Sequence, residues 1–384
     1  MRLVELQNES DSVAACNAIG CEAADEGLRG WAAIAPVQFT QVLRASGLAV
    51  VRGHGKVLAL GTLAQLSRAG SMLADDAGEP AEPPERPGRP EGAKAFGAVL
   101  RERAASLEAP AAASAWKLPR SALPIGRVLV MGVVNATPDS FSDGAAYNPV
   151  EHAARLVEEG ADIVDVGGES TRPGAGPVDA TTESARVLPV VRALANAKVP
   201  LSIDTTKADV AKAALDAGAE IVNDVSGLAR DPQMGDAARG AAVLLMHSRG
   251  NPQEMGRRAT YADLMAEILA ELGQALDRAL QAGIPIERIA LDPGLGFAKV
   301  GAQNFTVLRR LRELTQLGRP VVVGASRKSF IGKVTGRDAG DRLFGSVAAA
   351  VSAALSGAAI VRVHDVRATR EALLVADAIR TASS

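Results

Sequence analysis

Eight short apolar runs, each ending in polar residues, recur between positions 128 and 365 and constrain the fold more than any other feature. The first reads Val-Leu-Val-Met-Gly-Val-Val at 128–134 and is followed at once by Asn135. A run this short and continuous predicts a strand buried on both faces, because a membrane span needs about 20 residues and a half-exposed strand would alternate. The seven later runs share this pattern and begin at Ala161, Leu201, Ile221, Val243, Ile289, Val321 and Ile360.

Stretches with helical spacing separate most of these runs. Apolar residues recur at intervals of three and four at 150–159, 208–217, 261–282, 305–317 and 342–355. Eight strands alternating with helices predict an α/β fold, the (β/α)8 TIM barrel, whose usual size is about 250 residues. A doubly wound open sheet is the alternative. No Gly-x-Gly-x-x-Gly follows the first strand, however, so the dinucleotide fingerprint of such sheets is missing.

The 384 residues exceed what one barrel needs, so the sequence predicts further units. Residues 1–74 are interpreted as a small α+β N-terminal module of unknown function, with a hairpin formed by 48–52 and 56–60. Residues 75–95 hold five prolines among glutamates and arginines and few large apolar side chains, which predicts an extended Pro-rich linker. The barrel domain is then expected at 96–384.

Charge and composition indicate a soluble enzyme without a nucleic-acid or membrane partner. The net charge is −2, and no basic run is present. No apolar stretch has the length of a membrane span, and the first dozen residues do not resemble a signal peptide. Cys16 and Cys21 are the only cysteines. They could bind metal or form a disulfide, but free thiols in a reducing cytoplasm are the simpler interpretation, so a cytoplasmic location is expected.

Polar residues at the strand ends predict a ligand site, because the carboxyl ends of barrel strands meet at one mouth. Asp204, Asn223, Asp292 and Lys328 offer two carboxylates, an amide and an ammonium, which suit the donor and acceptor edge of a guanine-like or pterin-like ring. A second set of hydroxyl, imidazole and guanidinium groups suits phosphate or carboxylate. Its members are Thr171, Arg172, Ser326, Arg327, Arg362 and His364. The predicted ligand is therefore a heterocycle carrying an anionic group.

Several of these residues have a simpler structural interpretation. Arg327 and Arg362 could form salt bridges at the rim, and Asp204 could cap the following helix. His247 has no second His or Cys at ligand spacing, so a packed or hydrogen-bonded core histidine is favoured over a metal ligand. Glu169 could be a catalytic acid or a partner that orders its loop, and the second role is favoured.

From about residue 118 to its end, the chain resembles the dihydropteroate synthases of the folate pathway. Seven motifs in matching order and spacing carry the resemblance, which is specific because any one of them alone would be a weak signal. They are Asn135-Ala-Thr-Pro-Asp-Ser-Phe-Ser-Asp-Gly, Gly167-Gly-Glu-Ser-Thr-Arg-Pro-Gly, Ser202-Ile-Asp-Thr, Val222-Asn-Asp-Val, Leu291-Asp-Pro-Gly-Leu-Gly-Phe, Ser326-Arg-Lys-Ser and Arg362-Val-His-Asp. Residues 1 to about 110 are not covered.

The resemblance implies a transferase that condenses 6-hydroxymethyl-7,8-dihydropterin diphosphate with 4-aminobenzoate, releases pyrophosphate and is a target of sulfonamides. By motif position, the pterin is held by Asp204, Asn223, Asp292 and Lys328. The 4-aminobenzoate site is formed by Arg172, Pro173, Phe297 and Ser329. Asn135 binds Mg²⁺, which accompanies the diphosphate. The residues implied to act in catalysis are Asp143, Thr171, Arg172, Lys328, Arg362 and His364. The family also suggests a homodimer formed through late barrel helices.

Physical reasoning favours bond breaking before bond making. An aryl amine is a poor nucleophile, because its lone pair is shared with the ring, whereas an electron-rich pterin can stabilise a positive exocyclic carbon. No covalent enzyme nucleophile is needed, and the loops after the first two strands are expected to close and exclude water. Two other classes share such a barrel: a pterin-binding methyltransferase subunit that works with a corrinoid protein, and a non-catalytic paralogue.

Overall fold

The computed structural model describes residues 3–6, 30–36, 43, 48–52, 56–61, 63–74, 115–137, 148–170, 176–251 and 253–382. The chain forms two compact units, Met1–Ala112 and Ala113–Ser384. The predicted linker at 75–95 and the predicted start of the barrel domain at 96 lie outside the described residues, so those boundaries stay predictions.

The first unit contains an antiparallel sheet with the order β1-β2-β4-β3, followed by helix α1. Its elements are β1 Leu3–Leu6, β2 Gly30–Pro36, β3 Ala49–Arg52, β4 Lys56–Gly61 and α1 Leu63–Ala74. The predicted hairpin is confirmed, because β3 pairs with β4 from Ala49↔Leu60 to Arg52↔Val57. Ala33 and Ala59, paired across β2 and β4, are fully buried, as is Leu66 of the helix.

The second unit is the predicted (β/α)8 barrel. A hairpin of β5 Ala115–Lys117 and β6 Ala122–Pro124 precedes eight parallel strands. These are β7 Leu129–Asn135, β8 Ile163–Gly167, β9 Leu201–Asp204, β10 Ile221–Asp224, β11 Ala242–Met246, β12 Ile289–Asp292, β13 Val322–Val323 and β14 Ile360–Val363. The sheet runs from β12 through β7 to β14 and β13, and a parallel bridge between Leu291 and Val321 joins its two ends. The ring therefore closes, which excludes the open sheet.

Helices follow the strands around the ring. They are α2 Pro149–Glu158, α3 Ala180–Leu194, α4 Ala208–Asp216, α5 Met234–Ala238, α6 Leu264–Gln281, α7 Ala302–Arg309, α8 Ser329–Thr335, α9 Leu343–Leu355 and α10 Val366–Thr381.

The prediction of a single helix at 305–317 is wrong. Helix α7 ends at Arg309, and a 3-10 helix spans Leu311–Leu317. The chain leaves helical geometry at Arg310, whose buried guanidinium bonds Glu313 at 2.7 Å. Within the described residues, no helix has the length and apolarity needed to span a membrane.

Alternation along the strands divides the apolar residues between two cores. Val130 and Val134 of β7 pack outward against the helices, whereas Leu129 and Met131 belong to the barrel interior. Trp116 of the hairpin joins this interior core, is fully buried and donates from Nε1 to Arg288 O at 3.0 Å. The hairpin thus seals the amino-terminal end of the barrel, and the carboxyl end remains for a site.

Candidate active site

The strand register brings three predicted residues into one row at the carboxyl end of the barrel. Asn135 pairs with Gly167 of β8. Gly167 pairs with Asp204 of β9, and Asp204 pairs with Asn223 of β10. Gly167 has no side chain, and a Cβ there would lie 3.5 Å from the Cβ of Asp204, so its place leaves room beside that carboxylate. The structure therefore brings Asn135, Asp204 and Asn223 to neighbouring positions at the mouth.

Asp165, in the middle of β8, connects side chains from three other strands. Its Oδ2 accepts from Arg362 Nε at 2.6 Å and from Asn223 Nδ2 at 3.1 Å. Arg362 Nη2 donates in turn to Asp204 Oδ2 at 2.7 Å. Because Asn223 gives its Nδ2 to Asp165, its Oδ1 remains an acceptor for a ligand. Asp165 therefore orients both an amide and a guanidinium of the predicted site.

The positive charge of Arg362 balances the negative charges of two carboxylates, those of Asp165 and Asp204. Burial raises the pKa of Asp204, and the Arg362 charge opposes that rise. Burial also works against the charge of Arg362, but Asp165 and Asp204 outweigh it and raise the pKa of Arg362 above its ordinary value. Arg362 is therefore a permanent cation in the mouth. The helix-cap interpretation of Asp204 is wrong, since α4 begins after Lys207 without a side-chain cap.

Asp292 and Lys328 complete the charged set. Asp292 Oδ1 accepts from Gly294 N at 2.6 Å, which leaves Oδ2 as a second acceptor. Burial raises the pKa of the Asp292 carboxyl, and Lys328 opposes the rise. Burial lowers the pKa of Lys328 to about 8; Asp292 counteracts this effect, and Arg362 adds to it. Lys328 Nζ also donates to Leu295 O.

Phe297 forms an aromatic surface next to Lys328. The Lys328 Nζ lies 4.9 Å from the centre of the Phe297 ring. Gly296 and Ser329, which are the sequence neighbours of these two residues, line a cavity of about 390 Å³. A cavity of that size is within the usual range for small-molecule sites. The structure thus places Phe297 beside Lys328 and Ser329 at the wall of this cavity; their assignment to 4-aminobenzoate stays a prediction.

Ser326 connects the loop after β13 with the end of β14. Its Oγ accepts from His364 N at 3.2 Å and lies 3.1 Å from His364 Nδ1. Arg327 donates to the two oxygens of Asp365, at 3.0 Å from Nε and 2.5 Å from Nη2. The salt-bridge interpretation is therefore correct for Arg327, whereas Arg362 pairs inside the mouth.

Glu169 forms a hydrogen bond between the beginning and the end of the segment at 169–178, which follows β8. Its Oε1 accepts from Val178 N at 3.3 Å, and its Oε2 pairs with Lys207 Nζ. Lys207 also pairs with the buried Glu183 at 2.5 Å. With both oxygens engaged, Glu169 acts as the loop-ordering partner that the sequence favoured.

Four predicted site residues lie outside the described part of the chain: Asp143, Thr171, Arg172 and Pro173. Their assignments stay predictions. These residues fall in two stretches, 138–147 and 171–175, and the helix that follows each stretch begins with a side-chain cap. Asn148 accepts from Val150 N at 3.0 Å at the start of α2, and Asp179 accepts from Thr182 N at 2.9 Å at the start of α3.

Sequence reasoning did not identify Asp165 or Lys299. A signal existed for Asp165, because it has the same strand phase as the interior Ile163 and therefore points into the barrel. Lys299 gave no such signal, since a lysine in a glycine-rich loop is ordinarily solvated, yet it is 3% exposed. His247 is confirmed as a buried, hydrogen-bonded histidine, with Nδ1 2.8 Å from Lys299 Nζ.

No group of three or more His, Cys, Asp or Glu side chains that could hold a metal ion occurs within the described ranges. Asn135 has the amide oxygen that a hard cation accepts, and it lies in the register row of Asp204 and Asn223. Mg²⁺ often binds through one or two protein oxygens, with phosphate oxygens and water as its other ligands. The donor set is therefore compatible with a cation that arrives together with a phosphorylated ligand.

Comparison with known proteins gives one consistent result. Residues 131–364 match the family model described as pterin binding enzyme. Among curated relatives, the dihydropteroate synthase of Synechocystis sp. is 46% identical over 273 residues, which cover 67% of this chain and 94% of that protein.

Solved structures agree with this likeness. The Yersinia pestis dihydropteroate synthase in complex with a sulfonamide drug is 42% identical, with a TM-score of 0.67 over 70% of this chain and 100% of that chain. The Xanthomonas albilineans dihydropteroate synthase with 4-aminobenzoic acid is 45% identical, with a TM-score of 0.64 over 68% of this chain and 96% of that chain. The matched region is the barrel that carries the mouth described above.

Proposed function

Because this chain belongs to the pterin-binding enzymes and, within them, to the dihydropteroate synthases, we propose that it joins 6-hydroxymethyl-7,8-dihydropterin diphosphate to 4-aminobenzoate by a dissociative displacement. One observation carries the proposal. Acidic, amide and cationic side chains from separate strands converge at one end of a closed barrel, with Arg362 bonded to Asp165 and Asp204. The products are 7,8-dihydropteroate and pyrophosphate.

The pterin ring is recognised along its polar edge. Asp292 Oδ2 and the Asp204 carboxylate accept from ring and amino N–H groups, and Asn223 Oδ1 accepts from another. Lys328 donates from its ammonium to a ring acceptor. The carboxylates are already oriented by Gly294 N and Arg362, which reduces the ordering needed when the ligand binds.

The positive charge of Arg362 stabilises the negative charge that develops on pyrophosphate as it leaves. Arg362 keeps two N–H donors on Nη1 beyond the Nε and Nη2 bonds described above. His364, held by Ser326, and Thr171 are the proposed companions of Arg362 at the diphosphate. Fixed donors that meet charge as it develops on the leaving group lower the barrier. The aryl amine then adds to the exposed exocyclic carbon from the side of Phe297 and Ser329, with Arg172 and Pro173 as its other contacts.

Mg²⁺ is proposed to be held by Asn135 together with the diphosphate oxygens. When bound, it neutralises part of the diphosphate charge. Asn135 orients that end of the ligand, and Asp143 and Arg172 belong to the segments proposed to exclude water during the reaction.

The direct test is pyrophosphate release by the purified full-length chain with dihydropterin diphosphate, Mg²⁺ and 4-aminobenzoate. Release that depends on 4-aminobenzoate and yields dihydropteroate supports the proposed reaction. Binding of the pterin substrate without any release would instead identify a non-catalytic paralogue.

A kinetic isotope effect tests the dissociative step. Substitution of deuterium at the exocyclic carbon is expected to give a normal secondary isotope effect on turnover. An effect near unity would indicate attack by the amine before the diphosphate leaves.

The low pKa of Lys328 predicts a pH dependence of pterin binding. The ammonium is the donor, and burial lowers its pKa to about 8, so affinity should decline as the pH rises through that value. Burial raises the pKa of the Asp204 carboxyl to about 7, so a separate decline is expected as the pH falls through that value. Calorimetric titration with the pterin substrate from about pH 6 to about pH 10 measures the decline. Lys328→Met should bind more weakly and lack this alkaline decline. A decline that persists unchanged in Lys328→Met would assign it to another group.

We also propose a homodimer formed through the last helices. Phe344 and Leu355 of α9 are 86% and 54% exposed, and Ile379 of α10 is 68% exposed. Large apolar side chains exposed on adjacent helices favour association with a second copy. Light scattering after size exclusion is expected to show twice the monomer mass, and Phe344→Glu is expected to shift it to the monomer.

A further inference from the structure

The loop that follows β12, residues 293–299, has an unusual backbone. Gly294, Gly296 and Ala298 have φ values of 68°, 78° and 47°. A Cβ at Gly294 would lie 2.0 Å from the carbonyl oxygen of His247, so only glycine fits there. Ala298 adopts the left-handed region although it has a side chain, and such a conformation persists only where surrounding contacts enforce it.

Lys299 supplies those contacts from inside the protein. Its Nζ donates to Gly294 O at 3.1 Å and to Phe297 O at 3.0 Å, and lies 2.8 Å from His247 Nδ1. Burial lowers the pKa of Lys299 well below its ordinary value, but even a neutral amine keeps two N–H donors for the two carbonyl groups. One buried side chain thus holds two carbonyl groups of the loop to the residue after β11.

Residues from the loop after β11 and from α6 support this arrangement. The other ring nitrogen of His247, Nε2, lies 3.1 Å from Glu271 Oε2. Arg249 Nε donates to Glu271 at 3.0 Å, and its guanidinium lies 4.0 Å from the centre of the Tyr261 ring. Tyr261 donates its hydroxyl to Ala298 O at 2.8 Å. Three carbonyl groups of the loop, those of Gly294, Phe297 and Ala298, therefore each have a fixed hydrogen-bond donor.

The outer side of this loop faces the site. It offers Leu295 O to Lys328 Nζ and places the Phe297 ring 4.9 Å from the same ammonium. A shift of the loop would therefore change the aromatic surface proposed for 4-aminobenzoate. Of the proposed pterin-binding groups, Asp292 and Lys328 contact this loop through Gly294 N and Leu295 O. Asp204 and Asn223 belong to β9 and β10 and have their own contacts with Arg362 and Asp165.

We propose that Lys299 is a positioning residue for the amine substrate. Its side-chain nitrogen holds the loop carbonyls so that Phe297 stays against Lys328 and forms one wall of the 4-aminobenzoate site. The inference rests on the proposed function and deepens it, because it assigns the geometry of the acceptor site to a buried lysine whose Nζ bonds the carbonyl groups of the loop.

The test compares Lys299→Ala with Lys212→Ala in the full-length chain. Lys212 is an exposed lysine on α4 and does not line the 390 Å³ cavity that Lys299 lines. In Lys299→Ala, the KM for 4-aminobenzoate is expected to rise about 10-fold or more, since loop carbonyls lose a buried partner. The calorimetric Kd of the pterin substrate should rise by a clearly smaller factor, because Asp204 and Asn223 keep their own contacts. Lys212→Ala should leave both values near those of the original chain.

Rescue separates positioning from a general loss of packing. Lys299→Ala removes the atoms of propylammonium, and the adjoining cavity gives such a cation a route to the vacated space. Added propylammonium is expected to lower the raised KM, whereas propanol should not. An unchanged KM, or a rise in KM matched by an equal loss of pterin affinity without rescue, would overturn the inference.

Tyr261→Phe provides a second variant if Lys299→Ala does not fold. It removes only the hydroxyl that donates to Ala298 O, and a smaller rise in the same KM, about 2- to 5-fold, is expected. An unchanged KM in Tyr261→Phe would then count against the loop argument. Absence of amine-dependent pyrophosphate release in the original chain would reject the proposed function, whereas normal kinetics in both variants of an active enzyme would reject this inference alone.

Discussion

Arg362→Met is expected to reduce amine-dependent pyrophosphate release at least about 100-fold and to lower the free energy of unfolding by about 3–5 kcal/mol. The first effect follows from removal of the cation that meets the leaving diphosphate. The second follows because Asp165, fully buried, and Asp204 lose the partner that compensates them. Steady-state kinetics and urea unfolding measure the two effects separately.

A second substitution distinguishes these effects. Asp165→Asn in the Arg362→Met background removes the uncompensated buried charge, so much of the lost unfolding free energy should return while turnover stays low. Arg380→Met is the matched control, because Arg380 pairs with Asp377 on the exposed side of α10. It should change stability by less than about 1 kcal/mol and leave turnover unaltered. If turnover returned together with stability in the double variant, the catalytic role of Arg362 would be wrong.

Asp292→Asn is expected to weaken binding of the pterin substrate about 100-fold with little loss of stability. The amide oxygen can still accept from Gly294 N, which now bonds Asp292 Oδ1 at 2.6 Å. The NH₂ group then occupies the position of Oδ2 and faces N–H groups of the ligand. Loss of two charge-assisted bonds of about 1.5 kcal/mol each amounts to this factor. Isothermal titration calorimetry with the pterin substrate measures the change.

Asp236→Asn is the control for this substitution. The Asp236 side chain is 76% exposed and pairs with Arg239 on the surface, away from the strand ends. Its replacement should leave the Kd of the pterin substrate unchanged. Undiminished affinity in Asp292→Asn would show that the ring edge does not meet this carboxylate.

Prediction from sequence succeeded where a pattern is local. The continuous apolar runs identified the eight strands, since burial on both faces requires apolar residues at every position. The same logic placed Asp204, Asn223 and Asp292 at strand ends. It failed at 305–317, where the apolar spacing continues through Arg310 but the backbone leaves α-helical geometry at that residue, since a local apolar pattern does not distinguish one helix from an α-helix followed by a 3-10 helix.

The sequence by itself determined the barrel class, the end of the barrel that carries polar groups and the family whose motifs those groups match. These depend on periodicity and on spacing along the chain, which the order of residues contains directly. Only the tertiary structure decided which charges meet. Asp165 and Arg362 are separated by 197 positions, yet they form one ion pair, and Lys299 reaches His247 across 52 positions. Closure of the barrel brings such distant residues into contact, because it places strands far apart in the sequence side by side.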